Sequence, residues 1–398
     1  MESRDPSRPC THPVRENYPS SEEGATPLFQ QVLIPMIEKE GPLSFARFME
    51  LALYHEEFGY YSDPNRTRVG RTGDFATSVS VGAAYGRLLA LRVHQVWVAH
   101  GSPQAFSVLE LGPEDGSLAL DILHAARQQD PAFHRALQYI ACEPGAHKRN
   151  ALAQRFNANG ETKIRVVEAP TEARCEQGVL LANEVLDALP VHLVQWSGSA
   201  WREKFVGLEG GKLVWRVSPL PDGPLSQHLT KLPTSLPDGY TTEVCLELFP
   251  FVKELATIFD DGLLLLADYG FERKEYYHKD RCEGTLQTYA RHQVGKDPLE
   301  APGEQDLSAH LDLTSVEEAA SEAGLTSLGS ARQESYLVHL ASKLLETPPP
   351  AGPDRNFLSQ FQTLTHPAFF GSRFQILEYA VGTISSGLSF PVGSGFHT

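Results

Sequence analysis

Cysteine is scarce in this chain. Its 398 residues hold five, at positions 10, 142, 175, 245 and 282, with no CxxC pair and no zinc-like spacing. The nearest two, Cys142 and Cys175, stand 33 positions apart (175 − 142). An odd, scattered set argues against a disulfide framework and a structural metal, and points to a reducing compartment. Long apolar runs are missing too. A bilayer-spanning helix needs about 20 consecutive apolar residues, and the longest candidate, Leu263 to Ala267, is strand-sized. The stretch MESRDPSRPCTHPVRENYPSSEEG has neither the apolar core of a secretory signal nor the clean amphipathicity of a transit peptide, and is expected to be a disordered tail. Basic charge is also short, with 34 Lys+Arg against 50 Asp+Glu, a net charge of −16. Nucleic acids and anionic membranes require a basic face, so no nucleic-acid partner and no membrane insertion are expected. An acidic surface suits a basic partner such as an arginine- or lysine-bearing protein. It equally suits plain solubility.

What is present is a core. Hydrophobic residues make up 41% of the chain and charged residues 21%, which places it among globular proteins. The length allows two or three domains, or one α/β domain with large insertions. Residues 27–58 repeat apolar positions every three or four, which predicts two helices broken at Gly41-Pro42, with Ser44 capping the second. Residues 80–100 read as a further helix. From residue 106 strands and helices alternate: FSVLELG, then LALDILHAARQQ; QYIACE, then AHKRNALAQRF; KIRVVEA; and GVLLANEVLDALPV. That alternation predicts a right-handed parallel sheet. Residues 191–217 switch to a two-residue period around glycine turns, which predicts antiparallel hairpins inserted in the α/β unit. The parallel pattern resumes with LELFPFVKELATIF and GLLLLADYG. Residues 271–380 mix loops, a helix near 314–323 and short strand signals, and residues 346–355 read as a linker-like loop.

Chemistry concentrates where strands end. In VLELGPEDGS, Gly112 and Gly116 supply the small residues a Rossmann turn needs to bring backbone close to a ligand. Glu110, at the end of the first strand, is placed for charge-assisted contacts. Glu114 stands where an E-x-G-x-G-x-G run would have glycine, next to Asp115. Two acids make a poor cradle for pyrophosphate and a tolerable one for a sulfonium cation, which favours S-adenosylmethionine over NAD. An ordinary strand–helix turn is the competing reading. Glu143, 33 positions after Glu110 (143 − 110), ends the second strand and is placed to accept from ribose hydroxyls. The long first helix and a polar loop, QQDPAFHRALQ, account for the distance. Asn183, Glu184 and Asp187 end the fourth strand, and one helical turn would set the two acids on one face to clamp a guanidinium. A capping arrangement explains the same residues. Asp74, in Gly73-Asp-Phe-Ala-Thr-Ser78, lies in a loop that reads as a lid or as a plain turn. His310 and Asp312 lack the further ligands a metal requires, and no G-x-S-x-G marks a serine nucleophile.

Together, GPLSFARFMELALYHEEFGYYS, GRTGDFATS, VLELGPEDGSLALDIL, ANEVLDALPVH, DYGFERKEYYHKDRCEGTLQTYARH, PGEQDLSAHLDLT and THPAFFGSRFQIL resemble the MidA-like family from about residue 41 to 377. The runs ANEVLDALPV and GTL…H…PGEQDLSAH carry the specificity. The resemblance implies an α/β fold: a Rossmann-like class I methyltransferase sheet with an N-terminal helical cap, an antiparallel hairpin insertion and a C-terminal α+β extension. It implies S-adenosyl-L-methionine as cofactor and no metal. The implied domains are a tail (1–26), a cap with the GDFATS loop (27–104), a methyltransferase domain (105–380, with the insertion at about 191–245 and the extension at 271–380) and a second tail (381–398). The implied cofactor contacts are Asp74, Phe75, Thr77, Ser78, Glu110, Gly112, Gly116 and Glu143. Asn183, Glu184 and Asp187 become the implied catalytic cluster.

The activity implied is methyl transfer to protein arginine, the family's mitochondrial member acting in assembly of respiratory complex I. The implied partner is a protein substrate, a respiratory complex subunit among the candidates. Two rivals follow from the same residues. Glu114 motivates a non-catalytic binding protein that keeps the fold, and the insertions allow a small-molecule methyltransferase. The compartment expected is bacterial cytoplasm, with the mitochondrial matrix as alternative. Oligomeric state is not legible in the sequence.

Overall fold

The computed structural model describes residues 26–63, 66, 76–290, 293–295, 297–347 and 352–392. Residues 1–25 and 393–398 of the expected tails, and 348–351 of the linker-like stretch, lie outside them.

The alternating pattern from residue 106 forms the expected sheet. Seven of its strands are β1 (Phe106–Leu111), β2 (Leu137–Cys142), β3 (Ile164–Val167), β4 (Cys175–Asn183), β5 (Phe259–Phe271), β6 (Thr326–Arg332) and β7 (Phe374–Val381). They lie in the order β3-β2-β1-β4-β5-β7-β6. β1 runs parallel to β2 and β4, β2 to β3, and β4 to β5. β7 is antiparallel to both β5 and β6. The run 3-2-1-4-5 is the Rossmann order, and β7 enters between β5 and β6 as a reversed strand. β1 is buried along its whole length, as are Leu263 to Ala267 of β5. Continuous apolar strands mean that both faces of the sheet are covered.

The larger helices around this sheet are α1 (Ala84–Ala99), α2 (Ser117–Gln129), α3 (Ala146–Ala158), α4 (Gln333–Glu346) and α5 (Arg355–Thr365). One core runs from Leu88, Val93 and Val96 of α1 through Val108 and Leu265 of the sheet to Leu337 of α4 and Phe357 of α5. The segment QQDPAFHRALQ is not simply a loop. Asp130 caps a short helix, Pro131–Ala136, accepting from the backbone N–H of Ala132 at 2.7 Å, with proline in the first turn. An aspartate followed by proline is a helix-start signal legible in the sequence.

By contacts the chain divides into two units. One holds the described residues of 1–66, 187–248 and 271–314, and the other those of 67–186, 249–270 and 315–398. The first unit carries the predicted helical pair. Ile34–Glu40 ends at Gly41, and Phe45–Tyr54 is capped by the Ser44 hydroxyl, which accepts from the Arg47 N–H at 3.2 Å. The predicted hairpins form from His192–Trp196, Trp201–Glu209 and Lys212–Pro219, all antiparallel, with Thr241–Val244 added beside the first. A second small sheet joins Gln287–Ala290 to Gln293–Gly295 and Asp306–Ser308. Among the described residues no helix is long and apolar enough to cross a membrane.

The second unit is locked by a buried ion pair. Arg92 of α1 is 2% exposed and Glu378 of β7 is fully buried. The guanidinium donates twice to the carboxylate, at 2.8 and 2.6 Å, and Tyr336 of α4 donates to the same group. Removing one partner strands the other charge in a dry interior. Arg92→Met is therefore expected to lower unfolding free energy by about 3–5 kcal/mol, measured by urea denaturation. Adding Glu378→Gln to it should recover a large part of the loss. Equal losses from the single and double variants would show that the pair does not hold the unit.

Candidate cofactor and active site

The turn from β1 into α2 is built on left-handed backbone. Gly112 (φ 59°), Glu114 (φ 46°) and Gly116 (φ 78°) all have positive φ. Gly116 precedes the first turn of α2, and a Cβ there would stand 2.5 Å from the Phe156 ring, so glycine is required on both grounds. The Gly112 N–H donates to the Cys142 carbonyl at 3.1 Å, tying the turn to the end of β2. Asp115 satisfies the start of α2, accepting from the Ser117 N–H at 3.0 Å and its hydroxyl at 2.9 Å. Arg155 of α3 donates to Asp115 at 2.7 Å. Glu114 is the anomaly, since a non-glycine residue with left-handed backbone carries a strain of about 1–3 kcal/mol. Its carboxylate receives Lys148 Nζ at 2.7 Å.

Three parallel strands deliver the expected polar residues to one edge. Glu110 lies one residue before the end of β1, beside Ala141 of β2 and Leu181 of β4 in register. Glu143 follows the last residue of β2, and Asn183 is the last of β4. Chain order reverses between β1 and β4, and open α/β sheets bind ligands outside the carboxyl ends at that switch. Glu110 is buried and accepts from the Tyr139 hydroxyl at 2.8 Å. Burial pushes its carboxyl up to about 8, with the Tyr139 hydrogen bond pulling the other way and Asp115 adding to the rise. Glu143 is also buried. One oxygen accepts from the Gly145 N–H at 2.8 Å, and the other lies 3.4 Å from Lys148 Nζ.

At the end of β4 a chain of donors runs through the expected catalytic cluster. Tyr85 of α1 donates to Asn183 Oδ1 at 2.8 Å, and Asn183 Nδ2 donates to Glu184 Oε1 at 2.9 Å. Burial and the Glu184 charge hold the Tyr85 hydroxyl protonated, well above its ordinary range. Glu184 and Asp187 do not share a helical turn. Glu184 has left-handed backbone (φ 54°), and only Leu186–Ala188 forms a short 3-10 turn. The chain passes from one unit to the other between Leu186 and Asp187. Asp187 is buried, and within its own unit its carbonyl accepts from the Ala309 N–H at 3.0 Å.

Two organising acids escaped the sequence reading. Asp268, fully buried near the end of β5, accepts from the Leu186 N–H at 2.9 Å and the Tyr269 N–H at 2.8 Å. It holds the turn that follows Glu184, and its signal was an acid closing an apolar strand, as in LELG and ACEP. Glu243, in the smaller unit, accepts from the Thr285 and Leu286 N–H groups at 2.9 and 3.0 Å and from the Tyr276 hydroxyl at 3.1 Å. It explains the GTL run, since a Cβ on Gly284 would stand 2.1 Å from the Glu243 carboxylate. Nothing in the local spacing pointed to Glu243.

Gly73, Asp74 and Phe75 of the GDFATS loop lie outside the described residues. Thr77 and Ser78 are buried. Ser78 donates to Gln333 Oε1 at 2.9 Å, so its hydroxyl is engaged within the fold. Thr77 Oγ accepts from the Ser80 N–H at 3.2 Å. His310 stacks on Phe271 with centroids 5.2 Å apart, and Asp312 accepts from Arg273 at 2.9 Å. Among the described residues no three His, Cys, Asp or Glu side chains gather as a metal site.

Comparison with known proteins carries the same assignment. Residues 88–331 match the family model described as "Putative S-adenosyl-L-methionine-dependent methyltransferase". The mitochondrial protein arginine methyltransferase NDUFAF7 homolog of Drosophila melanogaster is 28% identical over 425 residues, 96% of this chain and 92% of that protein. The mitochondrial protein arginine methyltransferase NDUFAF7 of Bos taurus is 29% identical, covering 91% of this chain and 85% of its own. A crystal structure of a COG1565 superfamily member from Burkholderia thailandensis, bound to S-adenosyl-homocysteine, superposes with TM-score 0.79 at 28% identity, over 91% of this chain and 93% of that one. A Rossmann-like sheet, carboxylates at its switch point and a matching family model agree, and the chain belongs to the MidA-like class I S-adenosylmethionine-dependent methyltransferases.

Proposed function

We propose that this methyltransferase modifies arginine in a protein substrate. The observation that carries the reading is the likeness, along nearly the whole chain, to relatives named as protein arginine methyltransferases. The donor chain Tyr85–Asn183–Glu184 supports it, because it fixes a carboxylate beside the strand ends. Relatives named as mitochondrial support the mitochondrial matrix as the setting, and the Burkholderia thailandensis relative of equal identity supports the bacterial cytoplasm.

The residues present fit the cofactor. Glu143 is the acceptor for the ribose hydroxyls. Glu110 faces the methionine part, and Gly112 and Gly116 allow close backbone approach. Asp74, Phe75, Thr77 and Ser78 are carried from the family motif as further cofactor contacts. When bound, the cofactor supplies a methyl group on a sulfonium cation, whose carbon–sulfur bond breaks as the carbon–nitrogen bond forms and whose sulfur keeps the electron pair. The chain's task is positional. Glu184 holds the guanidinium through charge-assisted hydrogen bonds and keeps its attacking nitrogen in line. Asn183 and Tyr85 hold Glu184. The methylated nitrogen sheds its extra proton late, to Glu184 or to solvent. Asp187 is the second candidate acid, carried by its place in the ANEVLDALPV run. An acidic chain suits a basic substrate, and a respiratory complex subunit is the first class to test.

Two outcomes follow. With tritiated S-adenosylmethionine, arginine-bearing peptides should take label and their lysine-replaced counterparts should not. Glu184→Gln should cut the rate by roughly 100-fold, and an unchanged rate would remove Glu184 from the mechanism. The second concerns Glu110. Its carboxyl, raised to about 8, is largely protonated at neutral pH. A cofactor ammonium favours the ionised form, so binding should release up to one proton at pH 7. Affinity for S-adenosylhomocysteine should rise with pH and level off above about 8. Titration calorimetry in two buffers of different ionisation heat reads the proton, and Glu110→Gln should flatten the pH dependence.

A further inference from the structure

Four carboxylates surround the β1–α2 turn: Glu110, Glu114, Asp115 and Glu143. Among the described residues, Arg155 and Lys148 of α3 pair with them. Arg155 takes Asp115 at 2.7 Å, and Lys148 takes Glu114 at 2.7 Å and approaches Glu143 to 3.4 Å. They are seven residues apart, two helical turns, and so lie on one face. Arg155 sits in the last turn of α3, where the helix dipole favours a cation. Lys148 is its third residue, where the dipole opposes one. A lysine held against that preference, with its side chain only 12% exposed, is held by its acids. The carboxylate it approaches is the one that also accepts from Gly145 at the start of α3.

We infer that Lys148 is a positioning residue for the cofactor site, bridging the β1–α2 turn to the acid at the end of β2 so that Glu114 takes over the place of a glycine without disabling the site. The inference rests on Glu143 as the ribose acceptor. The bridge does two things at once. It sets a cation between the Glu114 and Glu143 carboxylates, which lowers their mutual repulsion. It also fixes one Glu143 oxygen while the Gly145 N–H fixes the other, leaving the carboxylate one orientation. The turn and the strand end then form one rigid body, and the left-handed Glu114 backbone is stabilised from its side chain.

The test is calorimetric titration of the full chain with S-adenosylhomocysteine, with melting curves taken without ligand. Lys148→Met should weaken binding about tenfold. Lys148→Arg, which keeps the charge, should stay within about threefold of the native protein. Glu114→Gly in the Lys148→Met background should regain part of the loss, because the acid that Lys148 answers is gone and its repulsion on Glu143 with it. Native affinity in Lys148→Met would overturn the inference. So would a loss that follows the unligated melting point and is the same with and without Glu114. Glu143→Ala is the control for the reading beneath: binding as tight as native in that variant would remove the ribose acceptor, and this inference with it.

Discussion

The parallel pairing of β1 between β2 and β4 is the constraint on which the rest depends. Parallel strands in one sheet end at one edge, so their terminal residues come together whatever their distance in the chain. Glu110, Glu143 and Asn183 span more than seventy positions, yet each needs only to close its own strand to arrive at the same rim. The same rule places Asp268, near the end of β5, one residue past the register partner of Asn183. The sheet gathers the acids, and the local turns aim them.

Much of this was legible. The alternation of LELG, IACE and LLAN with amphipathic helices announced the parallel sheet, because buried strands carry unbroken apolar runs and helices do not. Ser44 announced a helix start, and the glycines near residues 198 and 210 announced the hairpins. What escaped depended on partners distant in sequence. β6 and β7 read as scattered strand signals, since a reversed strand enters the sheet by tertiary pairing that no periodicity records. Glu243 shows no signature of its own, and its meaning lies in Thr285 and Leu286, some forty residues on. The shared helical turn expected for Glu184 and Asp187 failed because spacing of three is ambiguous. Glu184 takes a left-handed conformation and the helical turn begins only after it.

Glu114 shows how a departure from a pattern is absorbed. By sequence it threatens the turn twice, through backbone strain and through charge. In the fold the backbone bears the strain of the left-handed conformation, and Lys148 meets the charge. A side chain that looks like damage in one dimension is half of an ion pair in three. Glu110 sits close by with a different solution: burial raises its carboxyl to about 8, which favours the neutral form at pH 7.

The position of β7 bears on how the chain is made. β5 carries the buried apolar run Leu263–Ala267, and one of its edges is covered by β7. During synthesis β5 leaves the ribosome at residue 271, and its covering strand begins only at residue 374. For that interval of roughly a hundred residues the growing chain holds an apolar strand with a row of unpaired amides along one side. Such an edge is an invitation to pair with a neighbour. Premature release before residue 374 would leave that edge permanently open, so truncated products of this chain are the ones a cell must clear quickly.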